Sequence, residues 1–315
     1  MLQHQQGEEM LYFWAFGDLH YRARDEWHAM HSRRLAPMFG DTRALWLDEG
    51  APAFCAAPGD IVDTGAPENY TLAKKDLAAQ LGNIPIYPGI GNHEYHRERK
   101  DDRTHTVEEY CAAWKKPVRY SWMAGDILCI MLDQPDPYRP DPQRENVKVI
   151  FPADELEFLD TALAEHALSR AIIFAHCPLH NTVLDRDPEH NLDDDSLDPF
   201  FYVENSQEVR AILARHASTA LYISGHTHSG WGSPNLVLTE RLGDHAVTHL
   251  NLMSPWYTGR HRGPRLSADR LRLEYYPDDP DVLVSFAVRI YRSQMVIGAR
   301  DHRARLWLAQ WSIPL

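Results

Sequence analysis

Cysteine is scarce in this chain, and its spacing argues against a disulfide scaffold. Cys55, Cys111, Cys129 and Cys177 contain no CxxC pair, and nothing in their separation supports a pairing. Three of them lie in or beside apolar runs (AFCAAP, ILCIML, IIFAHCP), the setting of reduced, buried thiols. Long apolar runs are missing too. None approaches the 18 or so residues of a membrane span, and MLQHQQGEEM lacks the basic start and apolar stretch of a secretory signal. A soluble, cytoplasmic protein is the expectation. Positive charge is also short. The 32 Lys plus Arg stand against 45 Asp plus Glu, a net −13, and a surface of that sign disfavours tight binding to long nucleic acid. Oligomeric state leaves no trace in the sequence.

What is present suffices for one large core. The chain has 315 residues, 44% of them hydrophobic, and reads as a single domain over 1–315. Strand candidates Leu11 to Phe16, Ala53 to Ala57, Ile84 to Tyr87, Ile127 to Leu132, Ala171 to Ala175 and Ala220 to Ser224 alternate with helix candidates. The helices run from about Glu26 to Met38, a second one before Ala53, then Asn69 to Leu81, Thr106 to Trp114, Asp154 to His166 after Pro152, and Gln207 to His216. Strands joined by crossover helices imply a mainly parallel sheet of the α/β kind. After Gly230 the runs LVLTERL, HAVTHLNLM, LRLEYY, VLVSFAVRIY, QMVIGA and LWLAQWSI are β-rich, and this end reads as a second sheet packing on the first. Pro135 to Pro142 and the acidic Asp185 to Asp198 read as long surface loops.

Metal-type ligands follow five of the apolar runs directly. Asp18 and His20 follow LYFWAF, Asp60 and Asp63 follow AFCAAP, and Asn92 with His93 follows IPIYPGI. His176 follows AIIFA, and His226 with His228 follows ALYIS. Carboxyl ends of neighbouring parallel strands form one rim, so groups distant in sequence converge there. Carboxylate, amide and imidazole donors together suit Mn, Fe, Zn, Co or Ni. So many ligands need two metals. The glycines of GD, GN and GH fit loops whose backbone turns sharply beside ions.

Asp18-x-His20, Gly59-Asp60-x-x-Asp63, Gly91-Asn92-His93-Glu94, His176 and Gly225-His226-x-His228 resemble, complete and in order, the calcineurin-like metallophosphoesterase superfamily. The resemblance implies a four-layer α-β-β-α sandwich, two packed mixed sheets flanked by helices. Residues 11–230 would be the motif-bearing α/β part and 231–315 a β-rich part completing the second sheet. It also implies two divalent or mixed-valence transition metal ions: Asp18, His20, Asp60 and His228 hold one, and Asp60, Asn92, His176 and His226 hold the other. A hydroxide bridging the two ions would attack a phosphate ester of a small substrate. His93 would face the substrate and stabilise charge or protonate the leaving oxygen, and Asp63 would orient it.

Other residues near the motifs are open to two readings each. Glu94 either supports a ligand or bonds the loop backbone. His180, Tyr95, His96 and Arg97 either contact the substrate or belong to solvated loops. Trp231 and Trp256 line a pocket wall or pack between sheets. The acids from Asp185 to Asp198 form a solvated loop or border the site and disfavour polyanionic substrates.

Departures from subfamily patterns narrow the choice. Purple acid phosphatases have Asp-x-Gly and a tyrosine at the end of the GD motif, where this chain has His20 and Asp63. Serine/threonine protein phosphatases have a glycine and an arginine where Tyr21 and Thr64 stand. The pattern is most similar to class III cyclic-nucleotide phosphodiesterases, which implies diester hydrolysis ahead of monoester hydrolysis. A nuclease is the alternative within the class, and a non-catalytic metal-binding scaffold the alternative outside it.

Overall fold

The protein is described by a computed structural model over residues 8–95, 107–135, 149–183, 201–233, 235–257, 265–267, 272–275 and 281–315. The chain opens with β1 (Glu9–Ala15), α1 (Asp25–Glu49), β2 (Phe54–Ala57), α2 (Pro67–Leu81) and β3 (Ile86–Pro88). A short 3-10 turn at His93–Tyr95 and α3 (Val107–Trp114) lead to β4 (Tyr120–Ala124) and β5 (Ile127–Met131). Then follow α4 (Ala153–Glu165), β6 (Arg170–Phe174), α5 (Ser206–Arg215) and β7 (Thr219–Ser224). Beyond lie β8 (Val237–Leu242), β9 (His245–Asn251), the two-residue β10 (Arg265–Leu266) and β11 (Leu273–Glu274), and finally β12 (Val284–Tyr291), β13 (Gln294–Asp301) and β14 (Leu306–Pro314).

Two six-stranded mixed sheets carry the fold, in the orders β14-β13-β12-β1-β2-β3 and β4-β5-β6-β7-β9-β8. Their facing surfaces share one core, in which Phe13 stacks on Phe54 at 5.0 Å and meets Phe174 of the other sheet edge-on at 5.7 Å. The opposite face of the first sheet packs Trp14 and Phe16 against Leu35, Phe39, Tyr70 and Leu77 of α1 and α2. That of the second packs Leu128 and Ile130 with Leu159, Leu163, Val209 and Leu213 of α4 and α5. The four layers are α-β-β-α. A strand covered on both faces has no polar side to show, which is why LYFWAF is unbroken rather than alternating.

The strands are shared out differently from the sequence expectation. The motif strands do not form one sheet: β1 to β3 lie in the first and β5 to β7 in the second, so the ligands collect where two rims adjoin. Nor do the last strands make a sheet of their own, since β8 and β9 extend the second sheet while β12 to β14 extend the first. The switch comes at the hairpin β4–β5, whose antiparallel pairing starts the second sheet. Its turn is made by Gly125 at φ 61°. Two shorter helices were expected where α1 runs 25 residues straight past Pro37. Proline removes one backbone donor and crowds the preceding turn, but Leu35, Met38, Phe39 and Trp46 are buried on both sides of it, and that packing outweighs the local cost.

The four cysteines carry free thiols, with Cys55, Cys129 and Cys177 buried and Cys111 half-buried. Among the described residues no helix is long and apolar enough to cross a membrane. Residues 136–142 of the proline-rich loop, the acidic loop Asp185 to Asp198, and His96 and Arg97 lie outside the described residues.

Candidate metal centre

Every ligand candidate sits in the loop directly after a strand: Asp18 and His20 after β1, Asp60 after β2, Asn92 after β3, His176 after β6, His226 and His228 after β7. All seven are buried. Asp18, His20, Asp60 and His228 bring one ligand atom each within 4.8 Å of one another, and so do Asp60, His176 and His226. Asp60 belongs to both groups. The nitrogens His20 Nε2 and His228 Nε2 lie 2.9 Å apart, and His176 Nε2 stands 3.0 Å from Asn92 Oδ1 and 3.2 Å from Asp60 Oδ2. Asn92 is thereby drawn into the second group.

The backbone is shaped for this convergence. Four ligands occupy the left-handed region, His20 at φ 50°, Asp60 at 48°, His226 at 71° and His228 at 48°, an arrangement that side chains with a Cβ adopt only where surrounding structure compels it. The sharp turns are therefore made by these four residues together with Gly59 of the GD motif, at φ 144°. Gly225 serves close approach instead: a Cβ there would stand 2.6 Å from Asp18 Oδ2.

Hydrogen bonds tie the loops together. The Glu94 carboxylate accepts from the backbone N–H groups of Asp60 (3.0 Å), Ile61 (2.9 Å), Val62 (3.2 Å) and Gly91 (2.7 Å). It thus bonds the loop backbone and, through it, supports a ligand. The Asp18 carboxylate accepts from His226 N at 3.0 Å, and His93 N donates to Asp60 Oδ1 at 2.8 Å. His228 Nδ1 donates to the Tyr257 carbonyl at 3.0 Å, which leaves Nε2 to point into the cluster.

Around the ligands, Asp63 Oδ1 lies 3.6 Å from His20 Nδ1 and 3.7 Å from His93 Nδ1, while the Asp63 carbonyl is 2.9 Å from His93 Nδ1. The His93 ring stands edge-on to His20 at 4.4 Å.

The electrostatics fit cations. Burial alone would raise the Asp60 carboxyl, but the charges of His176 and His93 and a hydrogen bond from His176 hold it well below the usual carboxylate range. Burial opposes protonation of His176, yet Asp60, Asp18 and Glu94 carry it up to about 9. Burial, then the Asp60 charge, pushes Glu94 up, against the four N–H donors that favour its ionised form. Buried carboxylates here demand positive charge, and a divalent ion satisfies that demand. The Nδ1 atom of His176 is buried without a hydrogen-bond partner, as an imidazole nitrogen kept for something other than protein can be. The residues present thus fit two metal ions.

The remaining candidates fall elsewhere. Tyr95 is buried in the core behind the first sheet, its hydroxyl donating to the Gln134 carbonyl at 3.1 Å. His180 packs on Tyr202 at 4.6 Å and bonds Ser206 and Arg210 through its backbone. Trp256 is fully buried among Trp27 and Met30, and Trp231 packs on the inter-sheet core near Trp311; both are packing residues. Sequence reasoning missed three neighbours of the cluster. These are Arg22, which bonds Asp63 at 3.0 Å, Tyr257, and Phe201, whose ring lies 5.3 Å from that of His226. None carries a spacing motif.

Two candidate ligand groups thus share one carboxylate at the adjoining rims of an α-β-β-α sandwich. The Calcineurin-like phosphoesterase family model matches residues 11–230, and the chain belongs to that family. It is 26% identical over 190 residues to serine/threonine-protein phosphatase CPPED1 of Homo sapiens, covering 58% of this chain and 55% of that protein. It is 23% identical over 201 residues to the probable cyclic nucleotide phosphodiesterase syc0937_d of Synechococcus sp., covering 63% and 64%. The match thus spans less than two thirds of either relative. In structure the chain is similar to a dimetal phosphatase from Danio rerio, with TM-score 0.65, 15% identity, and 98% and 99% of the two chains covered. That likeness is one of fold.

Proposed function

We propose that this chain, acting as one domain, hydrolyses phosphate esters of a small substrate with two metal ions, phosphodiesters ahead of monoesters. The observation that carries the reading is the pair of ligand groups sharing Asp60. Asp18, His20, Asp60 and His228 would hold one ion, and Asp60, Asn92, His176 and His226 the other. Bound ions of the Mn, Fe, Zn, Co or Ni kind would supply Lewis acidity and a bridging hydroxide near neutral pH.

The chain's own groups supply the rest. Asp60 would share its negative charge between both ligand groups. His93, whose Nδ1 donates to the Asp63 carbonyl, would transfer a proton to the leaving oxygen. The net charge of −13 disfavours polyanions, which supports a small ester over a nuclease substrate.

Preference for a diester is supported by the motif pattern and by the relative described as a cyclic nucleotide phosphodiesterase. Monoester hydrolysis is the second reading, favoured by the phosphatase description of the human relative. A screen of mono-, di- and cyclic phosphate esters after reconstitution with each of the five metals decides between them. The diester reading expects higher kcat/KM on bis(p-nitrophenyl) phosphate than on p-nitrophenyl phosphate; the reverse order overturns that preference. Hydrolysis of neither, with metal bound, favours the scaffold.

A further inference from the structure

Two aromatic rings outside the ligand set contact histidines of different ligand groups. Phe201 meets the His226 ring at 5.3 Å and 46°. Tyr257 meets His228 at 4.5 Å and His20 at 5.4 Å, both near 39° (38° and 39°). His226 belongs to the group formed with Asp60 and His176, whereas His20 and His228 belong to the other. One ring therefore marks each half of the site.

Neither is core. Phe13, Phe174 and Trp256 are 0% exposed, while Phe201 and Tyr257 are half-buried. Hydrogen bonds anchor the chain at or beside each ring. Two residues past Phe201, Val203 is fully buried, bridges to Val149 and Leu179, and donates its N–H to the Pro178 carbonyl at 3.0 Å. The Tyr257 N–H donates to Ser254 Oγ at 3.4 Å, and Ser254 Oγ donates to the Asp18 carbonyl at 2.7 Å. The ring is thus tied to the Asp18 loop.

We propose that Phe201 and Tyr257 are specificity-determining residues that receive planar, aromatic ester groups, one on each side of the phosphate. This rests on the phosphoesterase reading above. A phosphate held between the two ligand groups sends its ester arms outward, and a diester has two such arms for two rings. Aromatic faces accept aryl groups and nucleobases alike because each presents a π-face and an apolar area. The single negative charge of a diester also suits an acidic protein better than the double charge of a monoester.

The test compares bis(p-nitrophenyl) phosphate with methyl p-nitrophenyl phosphate, which share a leaving group and differ in the arm that stays. Relative to the native chain, Phe201→Leu and Tyr257→Leu are each expected to lower the aryl-to-methyl ratio of kcat/KM by roughly tenfold. Metal content is expected to hold. Phe201→Tyr and Tyr257→Phe, which keep a ring, are expected to keep the ratio and guard against a folding defect. An unchanged ratio in both leucine variants overturns the proposal while leaving the hydrolase reading intact. Loss of metal with an equal fall on both substrates also overturns it, because the rings then serve only to pack the imidazoles. If the native chain cleaves neither ester with metal bound, the phosphoesterase reading itself has failed.

Discussion

Arg22 Nη1 donates to Asp63 Oδ2 at 3.0 Å, and this one contact ties a cation on the first loop to the acid that stands behind two histidines. The guanidinium lies over Trp27 at 5.4 Å, and Trp27 Nε1 donates to the His20 carbonyl at 3.1 Å. With Oδ2 engaged, Asp63 presents Oδ1 to His20 Nδ1 and His93 Nδ1 at 3.6 and 3.7 Å. Asp63→Asn keeps the shape and removes the charge. Groups that orient a ligand from behind typically cost about 10- to 100-fold in metal affinity or activity when changed, so a loss in that range is expected in kcat and in metal titration. Arg22→Lys, a point charge that cannot fork, should fall between native and Arg22→Ala. Native values in Asp63→Asn would remove Asp63 from the site.

Asp60 and His93 are neighbours, His93 N donating to Asp60 Oδ1 at 2.8 Å, and the proposed function assigns them different duties. Asp60→Ala takes a carboxylate from both ligand groups and is expected to abolish hydrolysis of p-nitrophenyl esters together with metal retention. His93→Ala leaves both groups complete. Its expected effect is a fall in kcat of roughly 10²- to 10⁴-fold, the range for a lost proton-transfer group, with metal content unchanged by elemental analysis. Equal metal loss in the two variants would contradict the division of roles.

The convergence of the ligand candidates was legible because each follows an apolar run, and a run buried on both faces ends where its loop must emerge at a sheet rim. Two packed sheets were expected, but which strands fall in which sheet was not legible, since strands of either sheet look alike when both faces are covered. Strand β4 was overlooked although Tyr120, Trp122 and Ala124 alternate before a Gly-Asp turn. Helix α1 was divided near Met38 because local propensity cannot see the core beneath it. Arg22, Phe201 and Tyr257 reach the site through tertiary placement, and no spacing rule announces them.

Glu94 joins the loop bearing Asp60 to the loop bearing Asn92 through four backbone N–H groups. Glu94→Gln puts an amide NH2 where one oxygen accepted, so two N–H groups lose their acceptor. Each buried donor left unsatisfied costs on the order of 1–3 kcal/mol. The variant is expected to melt several degrees lower by calorimetry and to bind metal more weakly, since both loops carry ligands. A native melting temperature would show that water or the backbone replaces the carboxylate.

His31 links acidity to the same loop. Its ring is fully buried between Tyr21 at 4.6 Å and Trp256 at 5.0 Å, and Nε2 donates to the carbonyl of Leu19, the residue between Asp18 and His20, at 2.6 Å. Burial pushes its pKa down to about 4, against the backbone bond and the charge of Asp76. In the unfolded chain an imidazole titrates near 6.5, as is usual for histidine. Between those values the unfolded chain takes up a proton that the native chain refuses. Stability is therefore fully present above about pH 6.5 and drains as pH falls toward the folded value of about 4, by on the order of 3 kcal/mol. His31→Gln keeps an N–H donor and cannot titrate, so its unfolding free energy should slope less across that window. Urea unfolding at a series of pH values in the presence of a chelator measures both slopes without a contribution from metal release. Coincident slopes would mean that the native chain protonates His31 as readily as the unfolded one. The Asp18–His20 loop would then not rest on a neutral ring.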